Sequence, residues 1–171
     1  PSWGAQYQTA DCTGPRDRRN IESREDVLVY TSAPLKQDLE VTGPVAVKLW
    51  ASSSAPDTDF VARLIDVWPN GFAQELCYGI VRARYRDSFT EPSLLRPGQV
   101  YELTINVNPT SNLFKTGHRV RLDISSSDFP NFDRNHNTGG DDYAEATLLA
   151  ARQTIFHDPA RPSRVVLPVV Q

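Results

Sequence analysis

The residue types that perform nucleophilic catalysis are present in this sequence, histidine only three times, but they are wrongly spaced for it. A serine hydrolase needs a serine on a sharp turn, a histidine base and an acid that orients the base. The strand-to-helix elbow G-x-S-x-G does not occur, and Ser125-Ser126-Ser127 falls within an alternating, strand-like segment. The three histidines are His118, His136 and His157. His157 is followed by Asp158, but neighbours in an extended segment point to opposite faces. No catalytic residue is expected within this chain.

Metal and anion chemistry give the same answer. Asp57-Thr58-Asp59 places two carboxylates on one side of an extended segment, and Asp141-Asp142 adds a second acidic spot. Calcium takes six to eight oxygen ligands, so neither spot suffices unless loops converge, and Asp59 is expected to cap the turn into its strand or pair with an arginine such as Arg63. Cys and His show no zinc spacing, and no metal or cofactor is expected. Arg82, Arg84 and Arg86 share one face of a strand. They could hold an anion; the plainer expectation is a solvated row, or pairing with carboxylates on a neighbouring strand. Trp3, Tyr7, Trp50, Trp68 and Tyr143 are the candidates for a ring platform that stacks on sugars. Trp50 and Trp68 read instead as core or interface side chains, Trp68 closing a hairpin end. An outward Trp50 would mark a docking surface.

The elements that position these residues are strands. Short alternating segments, ended by Pro, Gly, Asn or Asp, run over Asp26–Ser32, Val45–Ser52, Thr58–Trp68, Gln74–Arg86, Gln99–Val107, His118–Ser127, Ala151–His157 and Arg164–Val170. Val45, Val47, Leu49 and Ala51 point one way along theirs, and Tyr101, Leu103, Ile105 and Val107 along theirs. Pro69-Asn70-Gly71 is a turn signal that joins two segments as a hairpin. Only Asp142–Ala151 has the composition of a helix. About eight strands without crossover helices predict an all-β fold: a two-sheet antiparallel β-sandwich or jelly roll. Residues 1–25 read as an irregular lead-in lying against that sandwich, which occupies 26–171.

The bulk numbers agree. A chain of 171 residues with 39% hydrophobic and 23% charged residues suits one soluble domain. Its apolar runs fall far short of the ~20 residues that span a bilayer, and a net charge of −3 without a basic face excludes nucleic acid as a partner. Two cysteines, Cys12 and Cys77, make no disulfide framework, and Cys77 reads as a buried free thiol. The chain opens Pro1-Ser2-Trp3 and has no methionine, which reads as a piece of something longer.

Several stretches together resemble one family. They are Asp26-Val27-Leu28-Val29-Tyr30-Thr31-Ser32, Glu40-Val41-Thr42-Gly43-Pro44, Asp57-Thr58-Asp59-Phe60 and Gly79-Ile80-Val81-Arg82-Ala83-Arg84-Tyr85-Arg86. The most specific is the run from Pro109-Thr110-Ser111-Asn112 through Gly117-His118-Arg119, Ser125-Ser126-Ser127, Phe129-Pro130 and Asp133-Arg134-Asn135 to Asn137-Thr138-Gly139. In order and over nearly the whole chain, these are similar to the C-terminal domain of X-Pro dipeptidyl-peptidases and cocaine-esterase-like serine acyl hydrolases. The resemblance implies a galactose-binding-like jelly roll that packs beside an α/β-hydrolase domain carrying the catalytic residues, a domain absent from this chain. It also implies that the stretch around Pro1-Ser2-Trp3-Gly4-Ala5 skirts an acyl pocket, so Tyr7 and Gln8 are expected to line it. Trp3, Trp50 and Arg134 are the expected interface residues, Arg134 as a hydrogen-bond centre that pins its loop. Gly43-Pro44 and Gly117 are expected in tight turns, and Phe114 is expected to plug one end of the sandwich. The leading expectation is a non-catalytic domain that stabilises a hydrolase and helps shape its pocket. The rival is a free-standing carbohydrate-binding module; a complete small esterase is nearly excluded by the missing elbow. An isolated piece would expose its apolar docking patch and could form homo-oligomers.

Overall fold

The computed structural model describes residues 16–170. After a short helix α1 (Arg19–Glu22) come β1 (Leu28–Thr31), β2 (Leu39–Ser53), β3 (Asp59–Val67), β4 (Ala73–Arg82), β5 (Tyr101–Phe114), β6 (Arg119–Ser125), β7 (Gln153–Ile155) and β8 (Arg164–Val166). One sheet has the order β1-β6-β3-β4; the other has β5-β2-β7, with β8 also pairing β2. Every pairing is antiparallel. Among the described residues no helix is long and apolar enough to cross a membrane.

The two-residue period of the sequence becomes the core. Val45, Val47, Leu49 and Ala51 of β2 and Leu103, Ile105 and Val107 of β5 meet Phe60, Ala62 and Leu64 of β3, Cys77 of β4 and Ile124 of β6. Phe114 is fully buried at the end of β5, inside this cluster. Two face-to-face sheets with one shared apolar interior make the predicted sandwich.

Strand limits differ from the sequence reading where proline and side-chain pairing intervene. Gly43-Pro44 is not a tight turn: β2 runs straight through it. Gly43 takes φ +135°, a value open to glycine, and Pro44 faces Pro109 on β5. The two residues that lack an N–H thus share one rung. Gly117 does sit in a turn, with φ +85°. Asp142–Ala151 forms no helix, only a turn at 142–144. Its polar side chains are committed elsewhere: Asp142 accepts from Arg82 and from the His136 amide, and Glu145 accepts from Thr138.

The two long margins of the sandwich are unlike. On one, β4 lies directly over β5. A Cβ on Gly79 would stand 1.8 Å from the Asn106 carbonyl oxygen, so only glycine allows this approach, and Asn108 Nδ2 donates to the Tyr78 carbonyl at 2.7 Å. On the other margin the sheets part. Tyr30, Val120 and Leu122 face Ile155, Val165 and Leu167 across an apolar gap of about 410 Å³.

The outer face of the β1-β6-β3-β4 sheet is also covered, which is why β3 is buried along its whole length. The described part of the lead-in lies there. Its Arg18 amide donates to the Ala73 carbonyl at 2.9 Å, and the Arg16 carbonyl accepts from the Glu75 amide.

Candidate functional site

One buried group of polar side chains gathers at the end of the sandwich where the long β6–β7 connection folds back. Asp57 and Asp59 stand at the start of β3, and Arg82 ends β4 directly opposite Asp59 in register. Beyond Arg82 the chain turns through a 3₁₀ segment, Ala83–Tyr85. Arg82 Nε and Nη2 donate to the two oxygens of Asp59 at 2.9 and 3.1 Å, and its Nη1 donates to Asp142 at 2.8 Å. Arg84 donates through Nε to Asp57 at 2.6 Å and through Nη1 to the Gly140 carbonyl at 2.9 Å. Arg86 leaves this group, lying 4.7 Å over the Tyr101 ring. Of the arginine row, Arg82 and Arg84 are therefore partners of these carboxylates.

Asn135 completes the arrangement. Its Nδ2 donates to both Asp57 and Asp59, at 2.8 and 2.9 Å, and its Oδ1 accepts from the Asn137 amide at 2.9 Å. Burial first, with the like charge of Asp57 adding to it, raises the Asp59 carboxyl above its usual range, against the opposing pull of Arg82 and Asn135. The two carboxylates do converge, as a calcium site would require, but guanidinium groups occupy their lone pairs. Asp59 does pair with an arginine, Arg82 rather than Arg63: four residues of extended strand put Arg63 about 13 Å farther along. Arg63 instead pairs with Asp128 and Glu75.

The pinned loops carry aromatic tips. Phe89 and Tyr143 are 92% and 87% exposed, and Phe132 is exposed beside them. With Tyr85, they border a groove of about 570 Å³ floored by Val81 and Asn106. Tyr143 donates its hydroxyl to Asp133 at 2.8 Å. On the other flank of the same loop, Phe129 is exposed and the Arg134 guanidinium lies 4.8 Å over its ring.

The expected site residues fall in different places. Trp3, Tyr7 and Gln8, with Cys12, lie outside the described residues. Arg134 is at the surface on Phe129, and the hydrogen-bond centre of its loop is the neighbouring Asn135. Trp50 lies on the outer side of β2, half-buried; its amide donates to Ser163 Oγ at 2.9 Å, and its indole Nε1 is buried without an acceptor. Trp68 is half-exposed and packs edge-on against Phe72 across its hairpin turn, as a staple would. The buried network was visible only as matched spacing, Asp57-x-Asp59 against Arg82-x-Arg84 across a hairpin. The aromatic tips gave no periodic signal at all.

Nucleophilic chemistry finds no assembled site among the described residues. His157 meets the Tyr30 hydroxyl at 3.1 Å, and Asp158 is taken by Arg161. His118 Nδ1 and Asp66 do form a pair at 2.8 Å. That pair stands at the opposite end of β6 from Ser125, about 23 Å away by strand rise. Burial pushes the Cys77 thiol up to about 11, which keeps it protonated near neutrality.

Comparisons with known proteins place this geometry. Residues 3–166 match the family model described as the X-Pro dipeptidyl-peptidase C-terminal non-catalytic domain. The cocaine esterase of Rhodococcus sp. (strain MB1 Bresler) is 47% identical over 160 residues, which are 92% of this chain and 28% of that protein. The fold matches a solved α-amino acid ester hydrolase with a TM-score of 0.88 at 33% identity, covering 91% of this chain and 27% of the other. An aminopeptidase from a marine sediment Thaumarchaeota archaeon matches with a TM-score of 0.85 at 32% identity, covering 92% and 28%. This chain thus spans little more than a quarter of the length of each.

Proposed function

The chain belongs to the family of X-Pro dipeptidyl-peptidase C-terminal non-catalytic domains, and on that footing we propose that its pinned, aromatic-tipped loops are the surface that packs on an α/β-hydrolase domain. The observation that carries this reading is a conflict between rigidity and exposure. The loops bearing Phe132 and Tyr143 are fastened through Asp57, Asp59, Arg82, Arg84 and Asn135, yet Tyr143 and nearby Phe89 stand almost fully in water. Burying a phenylalanine side chain stabilises by about 1.5–3 kcal/mol, so rings held out on a preordered frame suit a partner surface. The larger part of each relative lies outside the matched region and is the natural occupant of that surface.

In this reading the domain supplies no catalytic group. It braces a serine acyl hydrolase, and Tyr7 and Gln8 line the substrate pocket of the intact enzyme. Arg134 on Phe129 and the outward Trp50 extend the contact, with Trp3 entering from the lead-in. The parent acts on an ester or amide through an acyl-enzyme.

The test is a Phe89→Ser, Tyr143→Ser double variant, made in this chain alone and in the chain joined to its hydrolase domain. The joined protein should lose thermal stability and hydrolytic rate while the isolated chain keeps its own melting temperature. Equal behaviour of variant and parent in the joined protein overturns the docking surface. Retention of the isolated chain on polysaccharides, lost in the same variant, would favour the carbohydrate-binding reading of the groove.

A further inference from the structure

A buried ionic cluster lies between the lead-in and the outer face of the β1-β6-β3-β4 sheet, and one of its carboxyl groups is left without a hydrogen bond. Glu75 Oε2 of β4 stands 3.2 Å from both Arg18 Nε of the lead-in and Arg63 Nε of β3. Arg63 also pairs with Asp128, just past β6, and Arg121 of β6 pairs with Glu22 of α1. The remaining member is Asp123 of β6, opposite Arg63 on one side and Val29 on the other. Asp123 is 3% exposed, and neither of its carboxylate oxygens has a hydrogen-bond partner.

Three guanidinium groups, Arg18, Arg63 and Arg121, and four carboxyl groups, Glu22, Glu75, Asp123 and Asp128, make up the cluster, with Arg16 of the lead-in, its Nε also buried, two residues from Arg18. The nearby pairs Asp17–Arg19 and Arg24–Asp26 close on themselves at the surface. β1 contributes no charge to offset Asp123. An unpaired carboxylate in a closed site is costly, and a proton is the simplest remedy.

We propose that Asp123 takes up a proton when the lead-in docks on the sheet, so that acid favours the docked state. The lead-in is what makes the site closed. It brings Glu22 beside Asp123, whose like charge opposes ionisation, and Arg18 supplies only part of the compensation. Desolvation first, and Glu22 second, push the Asp123 carboxyl up to about 7. The sign follows. A raised folded-state value means the native protein holds a proton that the undocked chain releases, so stability is full below about 4 and declines as pH rises through about 7. Above that it is flat. The inference stands on this cluster alone and does not depend on what the aromatic loops dock against.

The test uses the 171-residue chain and two readouts. The first is the Arg18 amide, whose acceptor is the Ala73 carbonyl. Its opening constant, from hydrogen exchange corrected for the intrinsic pH dependence, should rise about tenfold per pH unit between roughly 5 and 7 and level off above. In Asp123→Asn, which imitates the protonated group, that slope should fall, what remains coming from Glu22 and Glu75, whose carboxyls burial also raises. The second is the carboxyl carbon resonance of Asp123 in the parent chain, which should titrate with a midpoint near 7. This readout remains if the variant fails to fold. A midpoint below about 5, or the same slope with and without the carboxyl group, overturns the proposal.

Discussion

At the scale of single residues, the side chain that matters most at the loop end is an asparagine of ordinary appearance. Asn135→Ala removes donors from two buried carboxylates at once, leaving each under-satisfied in a dry site. Urea denaturation should give a loss of about 2–3 kcal/mol. Arg134→Ala, one position away, loses only a guanidinium resting on an exposed ring, and should cost about 0.5–1 kcal/mol. The sequence marked Arg134 because a charged group between Asp133 and Asn135 suggests a hub. What it could not display is that the hub needs a donor short enough to fit between Asp57 and Asp59. Arginines on the partnering strand end already fill the outer positions there. Asp38 follows the reverse electrostatic logic. The Thr116 amide, with Lys115 and the Thr116 hydroxyl, holds its carboxyl down near 2. Its contribution is present above about 4 and fades as pH falls toward 2. Asp38→Asn should therefore flatten the acid limb of the stability profile, read by thermal melts across that range.

At the scale of elements, alternation found the strands and their inward faces, because a sheet with one dry side writes a period of two into the chain. It did not find where β2 began, since Gly43-Pro44 is a turn signal in nearly every other setting. Only the facing Pro109, brought there by the fold, makes the pair tolerable within a ladder. Composition also misread Asp142–Ala151. Helix propensity is a weak preference, on the order of 0.5 kcal/mol per residue, and it yields to charged side chains already spoken for by Arg82 and Thr138. Glycines separate on the same grounds. Gly79→Ala would drive a methyl group into the Asn106 carbonyl, whereas nothing lies within 4 Å of the corresponding position at Gly98. Gly79→Ala should prevent β4 from closing on β5 and cost more than about 3 kcal/mol, as an overpacked backbone contact does. Gly98→Ala, strained only by its φ of +79°, should cost about 1 kcal/mol. Chemical denaturation of the two variants side by side checks the order.

At the scale of the whole molecule, the fold and the non-catalytic character were readable, and the proposed docking surface was not. A sandwich announces itself through repeated strands, and missing catalysis through the absent elbow and scattered histidines. A surface made of loop tips such as Phe89 and Tyr143 has no period, and its form depends on a frame assembled from residues distant in the chain. The chain alone should remain unlabelled by a fluorophosphonate probe that modifies a serine hydrolase under the same conditions; a labelled serine would contradict the non-catalytic reading. Sedimentation should reveal self-association at high concentration, relieved by the Phe89→Ser, Tyr143→Ser pair. The unequal margins have their own consequence. Gly79 binds the sandwich like the spine of a book, and the three-residue strands β7 and β8 sit at its fore-edge. The pages should therefore loosen from that outer side, with amides of Gln153–Ile155 and Arg164–Val166 exchanging well before those flanking the spine.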